Sequence, residues 1–147
     1  MKKLKIIAVL LSIVLMLALT SCGETSSEGA KLVYSTDTYI VIEAAETGGS
    51  LEDALKALSD AGELTYGGSE SEYGFYLTSI NGREVDASAN EYWAVYTTLG
   101  EYEGVAYSSA EFGTFDYNGK SLASASYGVS GLIMVEGELY VIVLESW

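Results

Sequence analysis

The chain has 147 residues, 49% of them apolar, and its 21 acidic and seven basic residues give a formal net charge of −14. This acidic balance argues against nucleic acid as a partner, because binding to phosphates requires a basic surface. The chain also has no histidine, which excludes a Ser-His-Asp arrangement, an HExxH zinc site and an imidazole general base.

The N-terminal segment has the pattern of a bacterial lipoprotein signal peptide. A basic start, Met1 to Lys5, precedes an apolar run from Ile6 to Leu19. The run has the length of a signal-peptide core and is short for a permanent membrane span. It ends in Leu19-Thr20-Ser21-Cys22, which matches a lipobox. We therefore predict a signal peptide over residues 1–21, a lipid on Cys22, and a location on the outer face of a bacterial membrane.

Cys22 is the only cysteine, so the exported domain has no internal disulfide and depends on its apolar core for stability. Residues 22–30 are small and polar and predict a tether. Residues 31–147 then form one domain of ordinary size. Because only four basic residues follow the signal peptide, we expect the lipid, and not a basic surface, to hold the protein at the membrane.

The first part of this domain is predicted to contain a hairpin and one helix. Leu32 to Tyr34 and Thr38 to Glu43 have the β-branched and aromatic composition of strands. Ser50 is predicted to cap the helix, because Asp53 stands at the capping-box position. One face of this helix is apolar, and Gly62 suits its end. The apolar positions are Leu51, Ala54, Leu55, Leu58 and Ala61.

Short strands joined by tight turns are predicted for the rest of the chain. Turns are indicated at Asn81-Gly82, Asn118-Gly119 and Glu136-Gly137. One helix among such strands predicts an α+β domain with the helix packed on antiparallel sheet. The predicted strands are Leu64–Tyr66, Gly74–Ile80, Arg83–Val85, Tyr92–Thr98, Gly113–Tyr117, Ser121–Ala123, Gly131–Val135 and Glu138–Leu144.

Three stretches resemble a known family: the helix at Ser50 to Leu58, the strand and turn from Tyr73 to Gly82, and the strand from Tyr92 to Tyr96. Together with the closing Glu136-Gly137 turn, they resemble the DUF4430 group of bacterial domains, which are similar to the C-terminal β-domain of transcobalamin and intrinsic factor. The resemblance covers nearly all of the domain, although the stretch from Glu101 to Leu132 is longer than in the family. It implies a β-grasp-like α+β fold, an extracytoplasmic setting and a non-catalytic binding role.

The resemblance also implies a corrinoid as one ligand to consider. In the cobalamin carriers this β-domain forms half of the site and clamps the vitamin against a large helical domain. The present sequence resembles only the β-domain, and it offers no imidazole to ligate cobalt. We expect no resident cofactor and no metal.

Aromatic residues are the strongest candidates for a binding site, since the chain has 12 tyrosines. Tyrosine and tryptophan provide stiff contact area with a polar tip, which suits planar ligands, sugars and protein partners. Phe75 and Trp93 could equally belong to the core, because they lie at strand spacing. The candidate ligand-binding residues are Tyr73, Phe75, Tyr76, Tyr92, Trp93, Tyr96 and Tyr102.

Three functions remain open on the sequence alone. The first is a ligand-binding lipoprotein that passes its ligand to a surface protein or transporter, and the second is an adhesion or protein-interaction module. The third is a glycoside hydrolase that uses two carboxylates. A calcium site at Asp86, Asn90 and Glu91 would not match EF-hand spacing. Arg83 is either a charged surface residue of its hairpin without a binding role or a contact for an anionic ligand.

Overall fold

The structure, a computed structural model, describes residues 29–147. The predicted signal peptide, Cys22 and nearly all of the predicted tether lie outside the described residues. Within residues 29–147, no helix has both the length and the apolar character that a membrane crossing requires.

The described part of the chain contains one α-helix and many short antiparallel strands, which confirms the predicted α+β class. A short 3-10 turn, Ala87–Ala89, precedes β6. The elements in chain order are β1 (Ala30–Ser35), β2 (Tyr39–Ala44), α1 (Leu51–Asp60), β3 (Tyr66–Ser71), β4 (Gly74–Ile80), β5 (Arg83–Glu84), β6 (Glu91–Thr97), β7 (Glu101–Tyr102), β8 (Val105–Ala106), β9 (Ser108–Tyr117), β10 (Lys120–Ala125) and β11 (Leu139–Ser146).

The main sheet has six strands in the order β1-β2-β11-β6-β10-β9, and it is strongly rolled. The rings of Tyr39 on β2 and Phe115 on β9 lie 5.7 Å apart, although four strand spacings separate these strands in the sheet. A flat sheet would place them about 19 Å apart, at about 4.8 Å per strand. The rolling therefore brings residues from opposite parts of the sheet together on its concave face.

Each face of this sheet carries its own apolar cluster. The helix α1 and the three-stranded sheet β3-β4-β5 contribute to the cluster on one face, together with Ile42 of β2 and Tyr140 of β11. The other face holds Val41, Tyr96 and Val141, with Phe115 packed against them. The predicted alternation along β6 is confirmed, because Trp93 joins the first cluster and Tyr96 joins the second.

Helix α1 begins and ends as predicted. Ser50 accepts a hydrogen bond from the Asp53 N–H at 3.2 Å, and the Asp53 carboxylate accepts one from the Ser50 N–H at 2.8 Å. This is a complete capping box. Ala61 caps the other end, and Gly62 follows with a φ of +76°.

The predicted hairpin turn at Asn81-Gly82 joins β4 to β5 and does more than reverse the chain. Asn81 has a φ of 49°, as such turns require. Its side-chain amide donates to Ser35 Oγ at 2.8 Å and to the Thr36 carbonyl at 2.9 Å, and its side-chain oxygen accepts from the Thr65 N–H at 3.1 Å. Asn81 thus links the β4-β5 turn to the β1-β2 turn.

The strand predicted at Gly131–Val135 is wrong, since only one isolated bridge, Ser50 to Ile133, forms there. The carbonyl groups in this region serve the start of α1 instead of a sheet. The Leu51 N–H donates to the Leu132 carbonyl, and the Glu52 N–H donates to the Val129 carbonyl, both at 2.9 Å. These bonds satisfy N–H groups that have no partner inside a helix.

The strand predicted at Leu64–Tyr66 begins instead at Tyr66 and runs to Ser71, paired with β4. Its glycine, serine and glutamate residues have low strand propensity, so the sequence pattern did not reveal it. Gly68 is required there by space, because a Cβ at this position would lie 2.8 Å from the Phe75 ring. The stretch after β6 also contains the small β7-β8 hairpin, which was not predicted.

Candidate ligand-binding cleft

Two cavities adjoin at the middle of β6, and we call them together the β6 cleft. The first, about 230 Å³, lies between β4 and β6 and is lined by Phe75, Tyr76, Leu77, Tyr92, Trp93, Val95, Gly128 and Val129. The second, about 340 Å³, lies between β6 and the chain after β10 and is lined by Tyr92, Trp93, Ala94, Val95, Tyr96, Phe112, Ser124, Ala125, Ser126, Tyr127 and Gly128. Four residues line both: Tyr92, Trp93, Val95 and Gly128.

Trp93 lies where the two cavities meet, and its indole N–H has no partner. The side chain is 8% exposed, and Nε1 is the one buried side-chain nitrogen or oxygen without a hydrogen bond in residues 29–147. Such a donor costs about 1–3 kcal/mol of desolvation if it stays unpaired. The cost is recovered if a ligand supplies an acceptor, so Trp93 is suited to bind a carbonyl or another neutral acceptor.

The second cavity exists because β6 and β10 separate. Pairing between them stops at Tyr96 and Ser124, whereas β11 pairs with β6 as far as Glu91. Beyond this point the chain after β10 turns toward another loop, where the Ser126 N–H donates to the Tyr107 carbonyl at 2.8 Å. The cleft is therefore a gap within the sheet beside the middle of β6.

Two tyrosines that line the cleft bond through their hydroxyls to a carboxylate of β11, which itself lines neither cavity. Tyr92 and Tyr96 donate to the two oxygens of Glu145, at 2.9 and 2.8 Å. Burial, and then the hydrogen bond to Glu145, raises the pKa of Tyr96 to about 12. The bond to Glu145, and then burial, raises the pKa of Tyr92 as well. Both hydroxyls are thus held protonated, and Trp147 packs on Tyr92 with the ring centroids 5.2 Å apart.

The wall between β4 and the loop at residues 128–130 is fixed by a short chain of hydrogen bonds. Ser130 Oγ accepts from the Phe75 N–H at 2.8 Å and donates to a Glu52 carboxylate oxygen at 2.5 Å. The Glu52 N–H also donates to the Val129 carbonyl. Helix α1 thereby holds the positions of Phe75 and Val129, which face each other across the first cavity.

Five of the seven candidate residues line the cleft: Phe75, Tyr76, Tyr92, Trp93 and Tyr96. The other two do not line it. Tyr73 is 90% exposed between β3 and β4, and Tyr102 is half-buried on β7. The choice between core and site for Trp93 has no single answer, since it belongs to the core cluster and also lines both cavities.

Sequence analysis missed the wall formed by the end of β10 and the chain that follows it, Ser124 to Val129, and also Phe112. The missed wall consists mostly of small residues, which give no binding signal by themselves. Phe112 directly precedes a predicted strand, but its 77% exposure is known only from the structure. Both features lie in the stretch that departs from the family pattern.

The charged residues proposed as alternatives contact each other and not the cleft. Arg83 donates to both carboxylate oxygens of Glu91, at 2.7 and 2.9 Å. The Asp86 carboxylate accepts from the Ser88 N–H and hydroxyl. No aspartate, glutamate, lysine or arginine lines either cavity of the β6 cleft, so its recognition chemistry is aromatic and neutral.

Comparison with known proteins gives one family for the part of the chain that builds this site. Residues 48–97 match the model of the DUF4430 family, described as a domain of unknown function. The predicted resemblance is confirmed for this segment, which we call the DUF4430 segment. It is about a third of the chain and contains α1 and the strands from β3 to β6.

The chain is also similar to transcobalamin-2 of Mus musculus and of Rattus norvegicus. Each is 52% identical over 46 residues, which is 31% of this chain and 10% of the relative. The matched stretch thus spans about a tenth of these curated relatives. The DUF4430 segment supplies β4 and β6, and therefore one wall of the β6 cleft, while the wall after β10 lies outside it.

Proposed function

We propose that the chain is a non-catalytic ligand-binding protein and that the β6 cleft is its binding site. The observation that supports this most is that Trp93 lines both cavities and carries a buried indole N–H without a hydrogen-bond partner. A donor in this position prefers an uncharged acceptor, and the surrounding aromatic residues provide apolar contact area. No acidic pair lines the cleft, so ligand binding is favoured over a carboxylate-based hydrolase.

A corrinoid is the ligand class that we propose to test first. Similarity to proteins named transcobalamin-2 supports this choice, although it covers a small part of them. A corrinoid carries carboxamide groups around a large flat ring, and the carboxamide carbonyls are uncharged acceptors for the Trp93 N–H. Small-molecule sites have volumes of about 300–1,000 Å³; the first cavity, about 230 Å³, is smaller than this, and the second, about 340 Å³, is at the low end. We therefore propose that one edge of the ring enters the cleft.

The cellular setting is part of the same proposal. A lipid on Cys22 would hold the domain at the outer face of a bacterial membrane, where the ligand would be passed to a surface protein or transporter. The sequence pattern of residues 1–22 supports this arrangement. We also propose that the fold is of the β-grasp type, because one helix packs on one face of an antiparallel sheet.

Calorimetric titration of the full chain in detergent with cyanocobalamin and cobinamide tests the proposal. We expect saturable binding that Trp93→Phe weakens by about tenfold, since this variant keeps an aromatic ring but loses the N–H. Trp147→Phe is the matched control and should bind like the original chain, because Trp147 lines neither cavity. Absence of heat with both ligands up to millimolar concentration would reject a corrinoid and favour the protein-interaction alternative.

A further inference from the structure

The second cavity of the β6 cleft differs from the first in the chemistry of its lining. The first cavity is lined by aromatic and apolar residues, such as Leu77 and Val129. The second is also lined by Ser124, Ser126 and the exposed Phe112. We propose that the second cavity binds an uncharged sugar ring, which stacks on Phe112 and hydrogen-bonds to the two serines. The inference rests on the proposed function, since it names a ligand class for one part of the β6 cleft.

A bulge in β9 carries Phe112 to this cavity. The pairing of β9 with β10 is interrupted, and residues 110–113 have no partner on β10. The bulge contains Gly113, whose φ of +126° favours glycine. Its backbone approaches β6, since a Cβ at Gly113 would lie 3.6 Å from the Tyr96 hydroxyl oxygen. Bulges redirect side chains, and this one leaves Phe112 77% exposed at the cavity.

The two serines supply hydroxyl groups that can bind a ligand. Ser124 and Ser126 both line the second cavity, and neither side chain makes a hydrogen bond within residues 29–147. A serine hydroxyl donates one hydrogen bond and accepts others, as a sugar hydroxyl does. The pair therefore matches a ligand that carries several neighbouring hydroxyl groups.

The exposed aromatic rings and the charge of the chain favour an uncharged sugar. The C–H bonds of a sugar ring carry a small positive charge, which the negative face of an aromatic ring attracts. Phe112 can offer such a face, and Tyr127, 43% exposed, lines the same cavity. No charged side chain lines this cavity, and the formal net charge of −14 repels acidic sugars.

The probe is methyl β-D-glucopyranoside, whose ring substituents are all equatorial, so that both faces of the ring present C–H bonds. It is titrated into the full chain in a zwitterionic detergent, since glycoside detergents would compete for the site. We expect saturable binding with a millimolar Kd, and saturation transfer in NMR from aromatic protons of the protein to the ring protons of the sugar. The matched methyl β-D-glucopyranosiduronic acid, ionised at neutral pH, should bind about fivefold more weakly.

Two substitutions test the residues that the proposal assigns. Phe112→Leu should weaken sugar binding by about fivefold, because leucine keeps apolar bulk but has no aromatic face. Ser126→Ala removes a hydroxyl at an exposed position and should weaken binding by about fivefold. Tyr73→Leu is the matched control and should bind like the original chain, because Tyr73 is 90% exposed and lines neither cavity.

Four results would each overturn the inference. They are no saturable binding up to about 100 mM sugar, equal affinity for the two sugars, unchanged affinity in Phe112→Leu or Ser126→Ala, and equal losses in Phe112→Leu and Tyr73→Leu. No corrinoid is present in this experiment, and the corrinoid titration depends on Trp93→Phe instead. Failure of the sugar proposal is therefore distinguishable from failure of the proposed function.

Discussion

Trp93 belongs to the core and also lines the proposed binding site. Its side chain packs in the core cluster with α1, yet its buried indole N–H has no acceptor. A residue selected for stability alone would have a partner for this donor, because buried polar groups without partners are rare. The proposed ligand would supply the acceptor that this donor lacks.

The raised pKa of Tyr96 gives a prediction about stability at high pH. Its pKa is about 12 in the folded chain and 10.0 ordinarily, so the folded state holds the phenol proton more tightly than the unfolded state does. The stability that Tyr96 contributes is complete below pH 10 and is lost as pH rises toward 12. Each such tyrosine lowers the free energy of unfolding by about 1.4 kcal/mol per pH unit in that range.

Urea unfolding of the original chain and of Tyr96→Phe between pH 8 and pH 12 measures this effect. The decline above pH 10 should be less steep in the variant. It should not disappear, because burial also raises the pKa of Tyr140 to about 12. Parallel pH curves for the two proteins would show that Tyr96 does not resist ionisation in the folded state.

At the scale of single residues, the sequence predicted on which face of the sheet each β6 side chain lies, but it did not predict the gap between β6 and β10. Alternation along β6 correctly placed Trp93 and Tyr96 on opposite sides of the sheet. Residue type then identified five side chains that line the cleft. The exclusion of Tyr102 could not be predicted, because its distance from the cleft depends on the β7-β8 hairpin.

The two Asn-Gly turns allow a matched test of whether the Asn81 side chain stabilises the fold by linking its turn to other elements. Asn81 and Asn118 have φ values of 49° and 47°, and glycine can adopt this conformation freely. Asn81 makes three side-chain hydrogen bonds to other loops, whereas Asn118 makes none within residues 29–147. We expect Asn81→Gly to lower the free energy of unfolding by about 1–3 kcal/mol more than Asn118→Gly does.

Chemical denaturation of both variants, with circular dichroism as the readout, gives the comparison. Equal losses in the two variants would mean that Asn81 acts only as a turn residue and does not connect the β1-β2 turn to β4 and β5.

Local patterns predicted the elements that are stabilised locally. The capping box of α1 and the Asn-Gly turns depend on neighbouring residues, and both were predicted correctly. The prediction of a strand at Gly131–Val135 failed because backbone groups of this segment bond to the start of α1, about eighty residues earlier. A pattern of apolar residues cannot distinguish a strand from a loop that packs against a helix end.

At the scale of the whole molecule, the cleft results from the way in which distant strands are arranged. The rolling of the sheet brings Tyr39 of β2 against Phe115 of β9, and the early end of the β6-β10 pairing opens the gap. Neither feature has a local signature, since strand pairing between distant segments is set by the complete fold. The sequence could therefore predict a candidate aromatic site in an α+β domain but not its location in a gap beside β6.

The indole N–H signals of Trp93 and Trp147 in a ¹H–¹⁵N spectrum of the full chain provide the most direct test of the β6 cleft as the ligand site. These are the two tryptophans of the chain. On titration with cyanocobalamin, the Trp93 signal should move downfield as its N–H gains an acceptor, while the Trp147 signal stays in place. Saturable binding that leaves the Trp93 signal unchanged would contradict the assignment of the site to the β6 cleft.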